Sequence, residues 1–290
     1  MTATTIVFDL DGTLIDTAPD LVESLNHTIA ARDLAPVSYE DLTHLVGQGA
    51  RVMIEAMTKD GLKPSAVIVG EPSMMQVVTG HKGGMRMRTT VRGHAVHSSR
   101  VDVGVPAVMI AGRLIDWHNQ VMAENKARTA PGNGFEPPYT TLHVGVVNGG
   151  TAVNITAEHC MFTHEVRCIP GESFESYEQR YRAEVAALEA QMQAIAPETG
   201  IDFVVTSDTP AMGPEQNGAA EELCRRLTGD NGRHVVAYGT EGGLFQRAGM
   251  STVVCGPGSI NQAHQADEYV SLEQLARCEA YLQELAAAVG

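Results

Sequence analysis

The sequence predicts an α/β protein in which a smaller α+β domain is inserted into a partial α/β domain. An apolar run at residues 67–69 ends in Gly70-Glu71-Pro72, which is typical of a buried strand that stops at a proline. Residues 76–212 have the order β-β-α-β-β-α-β, which indicates helices on one face of an antiparallel sheet. Residues 213–290 alternate helical and strand patterns, and the length of 290 residues suits two domains.

Composition excludes several classes of protein. The formal net charge of −15 argues against binding to nucleic acid or to an anionic membrane surface, because polyanions would be repelled. The five cysteines are an odd number without a Cys-x-x-Cys pair, so neither a disulfide framework nor a zinc ribbon is expected. We see no signal peptide and no apolar stretch of the roughly 20 residues that span a bilayer. We therefore expect a cytoplasmic protein.

The chain begins with a strand-like run at residues 5–8, followed by Asp9-Leu-Asp11-Gly-Thr. One aspartate at the end of such a strand can attack a phosphoryl group and a second can protonate the leaving oxygen, with magnesium holding both near the phosphate. The motif resembles the first motif of haloacid-dehalogenase-type phosphatases, and the next forty residues resemble the cap of phosphoglycolate phosphatases. That resemblance implies Asp9 as nucleophile and Asp11 as acid/base. The alternative is a turn rich in Asp and Gly, and we find no late acidic pair for the metal.

The identity of the chain changes within residues 51–64. A helical pattern over Val52, Ile54 and Met57 runs into Asp60-Gly61, a helix stop, without a linker rich in Pro, Gly or Ser. We predict three parts: a phosphatase-like fragment at 1–55, a partial catalytic domain at 56–75 and 213–290, and an inserted domain at 76–212. A change inside one helix suits a hybrid chain formed by recombination, a frameshift or an assembly error.

Periodicity predicts the elements of the inserted domain. Gly83-Gly84 indicates a hairpin between two β-rich runs, and in the second run Met85, Met87, Thr89 and Val91 alternate with polar residues. A helix at about 103–124 is predicted to turn five apolar residues inward: Val105, Val108, Met109, Ala111 and Leu114. Two strands, a second amphipathic helix and a closing strand follow, and residues 148–159 lie between the two strands.

Seven motifs occur in an order that carries a second resemblance: VIVGEP, GHKG, VRGHAVHSS, NGGTAVN, EVRCIPG, YGTEGGLFQ and GPGSINQAHQADEYV. From about residue 52 to the end, the chain closely resembles the acetylornithine deacetylase and succinyl-diaminopimelate desuccinylase family of zinc-dependent amide hydrolases. This resemblance implies a zinc-peptidase-like α/β domain with an inserted ferredoxin-like lid that makes a homodimer. The implied reaction converts N-acetyl-L-ornithine to ornithine and acetate in arginine biosynthesis.

The resemblance also implies roles for particular residues. Glu71 and His264 would each bind one of two zinc ions, and His97 would donate to the oxyanion in the partner subunit's site. The other implied residues bind the substrate, an N-acyl amino acid: Asn154, Arg167, Gly239 and Thr240. Arg167 would pair with the substrate carboxylate, which suits its bidentate fork.

The first segment departs from this family. The family supplies a His-x-Asp ligand, a bridging aspartate and an adjacent Glu-Glu pair there, and residues 1–60 contain no His-x-Asp and no Glu-Glu. We therefore predict weak or no zinc binding and little or no deacetylase turnover. Two alternatives stay open: a non-catalytic dimerisation module, and a phosphoglycolate phosphatase-like enzyme that uses magnesium.

Each implied site residue also has a plain structural reading. Glu71 could be a loop carboxylate, and His264 could lie in a solvated loop. His97 could begin a helix that the neighbouring Ser98 and Ser99 cap.

Overall fold

The computed structural model describes residues 26, 36, 38, 49–59, 61–129, 132–263, 265 and 267–289. Contacts divide the chain into two units. The insertion unit comprises Gly80–Gly213 and Val235–Gly239. The outer unit comprises Met1–Thr79, Pro214–His234 and Thr240–Gly290.

The insertion unit contains a four-stranded antiparallel sheet. Its strands are β3 (Gly84–Arg92), β4 (Thr141–Gly149), β5 (His159–Arg167) and β6 (Gly200–Thr209), in the order β4-β5-β3-β6. On β3, Met85, Met87, Thr89 and Val91 are buried. The predicted alternation is confirmed, and β3 is central because it pairs with β5 on one side and β6 on the other.

Two long helices of the insertion unit, α2 (Ala107–Ala127) and α3 (Phe174–Gln193), pack on the sheet. Pro106 precedes α2, a position where a missing amide hydrogen costs nothing. The Ser173 hydroxyl accepts a hydrogen bond from the Ser176 amide and so caps the start of α3. The arrangement confirms the α+β fold predicted for this part of the chain.

The start and the buried face of α2 differ from the prediction. A 3-10 helix at Ser98–Val103 precedes α2. Val108 and Met109 are exposed by 42% and 66%, so their predicted inward placement is wrong. The buried stripe of α2 has the helical period and consists of Ala107, Ala111, Leu114, His118, Val121 and Asn125.

The predicted hairpin at Gly83-Gly84 is also wrong. Strand β2 (Val78–His81) pairs with β8 (Thr252–Val254), whereas β3 belongs to the sheet of the insertion unit. The physical reason is a close approach of backbone at Gly83. A methyl group on Gly83 would lie 2.6 Å from the Ala211 nitrogen and 2.7 Å from the Thr209 carbonyl oxygen, so the glycine marks a tight passage and not a turn.

The outer unit is of the α/β type. Strand β1 (Val67–Val69) runs parallel to β8, and β2 pairs with β8 on its other side. From residue 49 onward, the other described elements of the outer unit are α1 (Gly49–Lys59), α4 (Ala219–Thr228), α5 (Gly242–Arg247) and α6 (Leu272–Val289), and β7 (His234–Val236) begins in this unit. These elements confirm the predicted alternation after residue 213. A core cluster that includes Val77, Cys224, Val253, Tyr281 and Leu285 packs together in this unit.

Helix α1 is attached to the outer unit at its first turn. The Ala50 amide donates a 2.9 Å hydrogen bond to Glu241 Oε1, and Ala50 is fully buried. A carboxylate at this end of a helix satisfies an amide that has no partner within the helix. In the described part of the chain, no helix has the length and apolarity that a membrane crossing requires.

Candidate functional site

The loop that carries Glu71 is fixed to the loop after β8. The amides of Ser73 and Met75 donate to the Gly256 carbonyl, and the Met74 amide donates to the Gly258 carbonyl. Met74 and Met75 have φ angles of 57° and 58°, a conformation that non-glycine residues adopt only when their surroundings hold them there. The half-buried Glu71 therefore lies in a rigid loop, beside the segment that leads toward residue 264.

The residues that the structure describes do not by themselves fit a two-zinc centre. Within the ranges that the structure describes, no group of three or more His, Cys, Asp or Glu side chains is arranged to hold a metal ion. His264 lies outside the described residues, as do Asp9 and Asp11 of the phosphatase-like motif. Glu71 contributes one carboxylate, and a zinc site of this kind needs at least three protein ligands. We therefore derive no chemical step through zinc.

The insertion unit brings His97 and Asn154 together. His97 forms a bridge with Ile155, and the Ser98 amide donates to the Asn154 carbonyl at 2.9 Å. The buried Thr156 strengthens the same junction, because its hydroxyl accepts from the Val96 amide at 2.7 Å and donates to the His94 carbonyl at 2.9 Å. Two residues that are 57 positions apart in the sequence thus sit on neighbouring segments, and both are exposed.

His97 itself caps the 3-10 helix, since its ring accepts a hydrogen bond from the Ser99 amide. Ser98 and Ser99 were the expected caps, so this detail of the structural reading is corrected. A surface cavity of about 520 Å³ lies beside this junction. Its lining includes Ala95, Asn148, Gly149, Ile155 and Thr156.

Arg167 is paired within its own strand. Its Nε and Nη2 atoms lie 2.9 and 3.2 Å from the two carboxylate oxygens of Glu165. Residues two apart on a strand point to the same face, so the sequence Glu-x-Arg contained the signal for this pair. Three of the five guanidinium N–H groups are not used by Glu165, which leaves donors for a second carboxylate.

Gly239 and Thr240 are placed differently from each other. Gly239 is exposed in the insertion unit, and a methyl group on it would lie 3.2 Å from the Lys82 carbonyl oxygen. Thr240 is buried in the outer unit, where its hydroxyl accepts from the Gly242 amide at 3.0 Å. This contact leaves the Thr240 hydroxyl proton for one further acceptor.

The structure buries Lys82, the lysine of the GHKG motif. Its Nζ atom donates to the Tyr139 carbonyl at 2.8 Å, and burial together with the nearby Arg167 lowers its pKa to about 8. The GHKG motif contained the lysine but gave no sign of burial. The bond to Tyr139 fixes the loop before β4.

The insertion unit also contains a buried chain of polar side chains. His118 Nδ1 donates to the Leu114 carbonyl at 2.8 Å, and His118 Nε2 lies 2.8 Å from His164 Nδ1. His164 Nε2 lies 2.9 Å from the Thr89 hydroxyl, which is 2.8 Å from the Tyr181 hydroxyl. The connection between these residues cannot be read from the sequence, because they lie on four different elements.

Comparison with known proteins supports both resemblances. Residues 79–193 match the family model of the M20 peptidase dimerisation domain, and residues 6–77 match that of haloacid dehalogenase-like hydrolases. The chain is 34% identical over 242 residues to an acetylornithine deacetylase from Myxococcus xanthus, which covers 81% of this chain and 59% of that protein. The chain therefore spans less than two thirds of that relative.

The first part of the chain has a different relative. Over 49 residues the identity to a phosphoglycolate phosphatase from Agrobacterium fabrum is 82%, which covers 17% of this chain and 21% of that protein. Among solved structures, a tripeptidase from Staphylococcus aureus aligns with a TM-score of 0.60 at 19% identity, over 81% of this chain and 60% of that one. The structural likeness supports the fold, and the sequence matches confirm the predicted hybrid character.

Proposed function

We propose that this chain, a hybrid of a phosphoglycolate phosphatase-like segment and an acetylornithine deacetylase-like part with an M20 peptidase dimerisation domain, forms a homodimer but has no deacetylase turnover. Its insertion unit keeps the dimerisation surface and the substrate-facing residues of a metal-dependent amide hydrolase. The parent reaction is the hydrolysis of N-acetyl-L-ornithine, which belongs to arginine biosynthesis. The observation that carries the proposal is the open outer edge of the sheet in the insertion unit.

Strand β4 is the outer strand at that edge. Val146 and Val147 are exposed by 48% and 49%, and unpaired edge strands with apolar side chains are templates for pairing with another chain. A methyl group on Gly150, just after β4, would lie 3.7 Å from Val108 Cγ2 on α2. The exposed Val108 and Met109 therefore continue the apolar edge, and a second copy of the same strand would cover it.

The substrate-facing residues suit an N-acyl amino acid. The exposed His97 and Asn154 sit on one junction and can offer donors to a carbonyl oxygen. Arg167 has N–H groups to spare for the carboxylate of the amino acid. In the parent reaction, zinc would supply the activated water.

The chain lacks most of the zinc ligands that turnover requires. Glu71 and His264 are the two zinc ligands that the resemblance assigns in this chain, and residues 1–60 contain neither the His-x-Asp ligand nor the Glu-Glu pair. Two ligands on separate loops rarely hold zinc without the others.

Metal content and turnover test this part of the proposal. We expect purified protein, incubated with zinc sulfate and desalted, to hold well below one zinc ion per chain by mass spectrometry of the metal. We also expect it to release no ornithine from N-acetyl-L-ornithine above the level of a Glu71→Gln variant. A content of about two zinc ions per chain with turnover typical of enzymes, at least about 1 per second, would contradict the proposal.

The match of residues 6–77 to haloacid dehalogenase-like hydrolases favours a second candidate, a magnesium-dependent phosphatase. Asp9 and Asp11 would then act as nucleophile and acid/base. Release of phosphate from 2-phosphoglycolate in the presence of magnesium, abolished by Asp9→Asn, would support it. We expect no such release, because the sequence offers no late acidic pair for the metal.

A further inference from the structure

The ring of His97 is held by the residue two positions after it. His97 Nδ1 lies 3.3 Å from the Ser99 amide nitrogen and 2.8 Å from Ser99 Oγ. The backbone of His97 is extended, with φ −61° and ψ 136°, and its ring folds back over the first turn of the 3-10 helix. One nitrogen of the ring is therefore turned toward the protein, and the other is on the opposite side of the ring.

The Ser99 amide decides which nitrogen carries the proton. A backbone N–H group can only donate, so Nδ1 must accept and cannot itself be protonated. A neutral imidazole has one N–H group and one acceptor nitrogen, which places the proton on Nε2. The Ser99 hydroxyl, 2.8 Å from Nδ1, can donate to this lone pair or accept from a protonated Nδ1, so the amide and not the hydroxyl selects the tautomer.

The backbone on either side of His97 is fixed independently of its ring. The Ser98 amide donates to the Asn154 carbonyl, and the Thr156 amide donates to the Val96 carbonyl at 2.9 Å. Thr156 also accepts from the Val96 amide through its hydroxyl. Because these bonds fix the main chain, Ser99 acts on the orientation and proton of the ring and not on the position of the segment.

We propose that Ser99 is a positioning residue that holds His97 in its Nε2–H tautomer, so that the exposed side of the ring presents an N–H donor. The inference rests on the proposed function in one respect, the carbonyl oxygen of an N-acyl amino acid as the acceptor for that donor. A ring in the other tautomer would present a lone pair and would repel that oxygen. The tautomer itself depends on neither zinc, nor substrate, nor dimer formation.

The test reads the tautomer directly. In mildly alkaline buffer, long-range ¹H–¹⁵N spectra separate protonated from unprotonated ring nitrogens. The His97 signals are assigned by their loss in His97→Gln. We expect His97 of the unmodified chain to show a protonated Nε2 and an unprotonated Nδ1.

Substitutions at Ser99 and Ser98 then separate the proposal from a general effect of the loop. Ser99→Pro removes the amide N–H that donates to Nδ1, and we expect the ratio of the Nε2–H to the Nδ1–H tautomer to fall about fivefold, as the loss of one hydrogen bond implies. Ser99→Ala keeps that amide and should keep the ratio of the unmodified chain. Ser98→Ala is the matched control, because the bond that Ser98 makes to Asn154 uses its backbone amide.

Three outcomes would overturn the proposal. A protonated Nδ1 in the unmodified chain would show that the ring is not held as described. An unchanged ratio in Ser99→Pro would show that the Ser99 amide does not hold it. An equal fall in Ser98→Ala would show a loop effect. None of these results bears on zinc content or dimerisation, so failure here is distinguishable from failure of the proposed function.

Discussion

His118 Nε2 and His164 Nδ1 lie 2.8 Å apart in the core of the insertion unit, and with both rings neutral their neighbours permit one assignment of protons. The Leu114 carbonyl requires a proton on His118 Nδ1, so His118 Nε2 accepts from His164 Nδ1. His164 Nε2 then accepts from the Thr89 hydroxyl, which accepts from the Tyr181 hydroxyl. Every bond then runs in one direction, and burial, which lowers the pKa of both rings, favours their neutral forms.

This arrangement predicts loss of stability in mild acid. Burial lowers the pKa of His164 to about 3, and burial also lowers the pKa of His118, whereas unfolded histidines titrate near 6.5. At a pH between the lowered pKa of the folded protein and the pKa near 6.5 of the unfolded chain, these histidines bind protons in the unfolded chain and not in the folded protein. The stabilisation is therefore complete above about pH 7 and decreases below about pH 6.5, by at most ~1.4 kcal/mol per pH unit for each histidine. Urea unfolding at a series of pH values measures it.

The control for the pH experiment is His159→Gln, an exposed histidine on the same strand as His164. This variant should keep the full dependence of the unfolding free energy on pH. The double replacement His118→Leu and His164→Leu should lose part of that dependence. Burial lowers the pKa of His81 to about 4, so His81 accounts for part of the pH dependence that remains in the double variant. A flat stability between pH 7 and pH 5 would contradict the prediction.

Thr89 links the histidines to Tyr181, so Thr89→Val should be costly. The substitution keeps the shape but leaves His164 Nε2 without a donor and the Tyr181 hydroxyl without an acceptor. Each unsatisfied buried group costs about 1–3 kcal/mol. Thermal or urea unfolding should show a loss in this range or above, with Thr89→Ser close to the unmodified chain. Thr90→Val, on the other face of β3, should change stability by less than about 0.5 kcal/mol, and equal losses at both positions would refute the argument.

The outer edge at β4 is the predicted dimer contact. Val147→Lys places a charge on that edge, which is a common way to prevent strands from pairing between chains. We expect size-exclusion chromatography with light scattering to show a monomer. Val204→Lys is the matched control, because Val204 lies on β6, the other outer strand of the same sheet, and is 47% exposed. A dimer that survives Val147→Lys and dissociates in Val204→Lys would place the contact at β6 and would contradict the prediction.

The thiols should react slowly in the folded protein. Burial raises the pKa of all five cysteines, to about 11 for Cys224, and the reactive thiolate is correspondingly scarce. Cys278 is half-buried and the other four are buried. At mildly alkaline pH we expect iodoacetamide to modify Cys278 first, and all five only in urea, as peptide mass spectrometry would show. Rapid native labelling of Cys160 or Cys168 would contradict the packing of the insertion unit.

Sequence patterns predicted where the helices and strands lie better than they predicted which face of each element is buried. The apolar residues of α2 suggested Val108 and Met109 as buried, but the stripe that starts at Ala107 and has a period of 3.6 residues excludes both. That stripe includes His118 and Asn125, which hydrophobicity alone does not select. Their burial depends on partners from β5 and from the Thr140 carbonyl, and such long-range partners leave no local signal.

The candidate site was predictable as a set of motifs but not as a geometry. The order of the motifs identified Glu71, His97, Asn154 and Arg167 as residues of interest. The adjacency of His97 and Asn154 arises from pairing of two loops through Ile155 and Thr156, which no periodicity predicts. Likewise, Gly83 looked like a hairpin turn because the close approach of the 209–211 backbone cannot be read from the neighbours of a glycine.

The contact between Glu241 and the Ala50 amide bears on how two unrelated genes can be joined. Every residue except proline offers a backbone amide, so this hydrogen bond requires no particular functional group at position 50, only a side chain small enough for the buried site. A helix held in this way tolerates exchange of the segment that precedes it. The start of α1 is thus a permissive splice point, at which evolution or a protein engineer can replace what comes before without rebuilding what comes after.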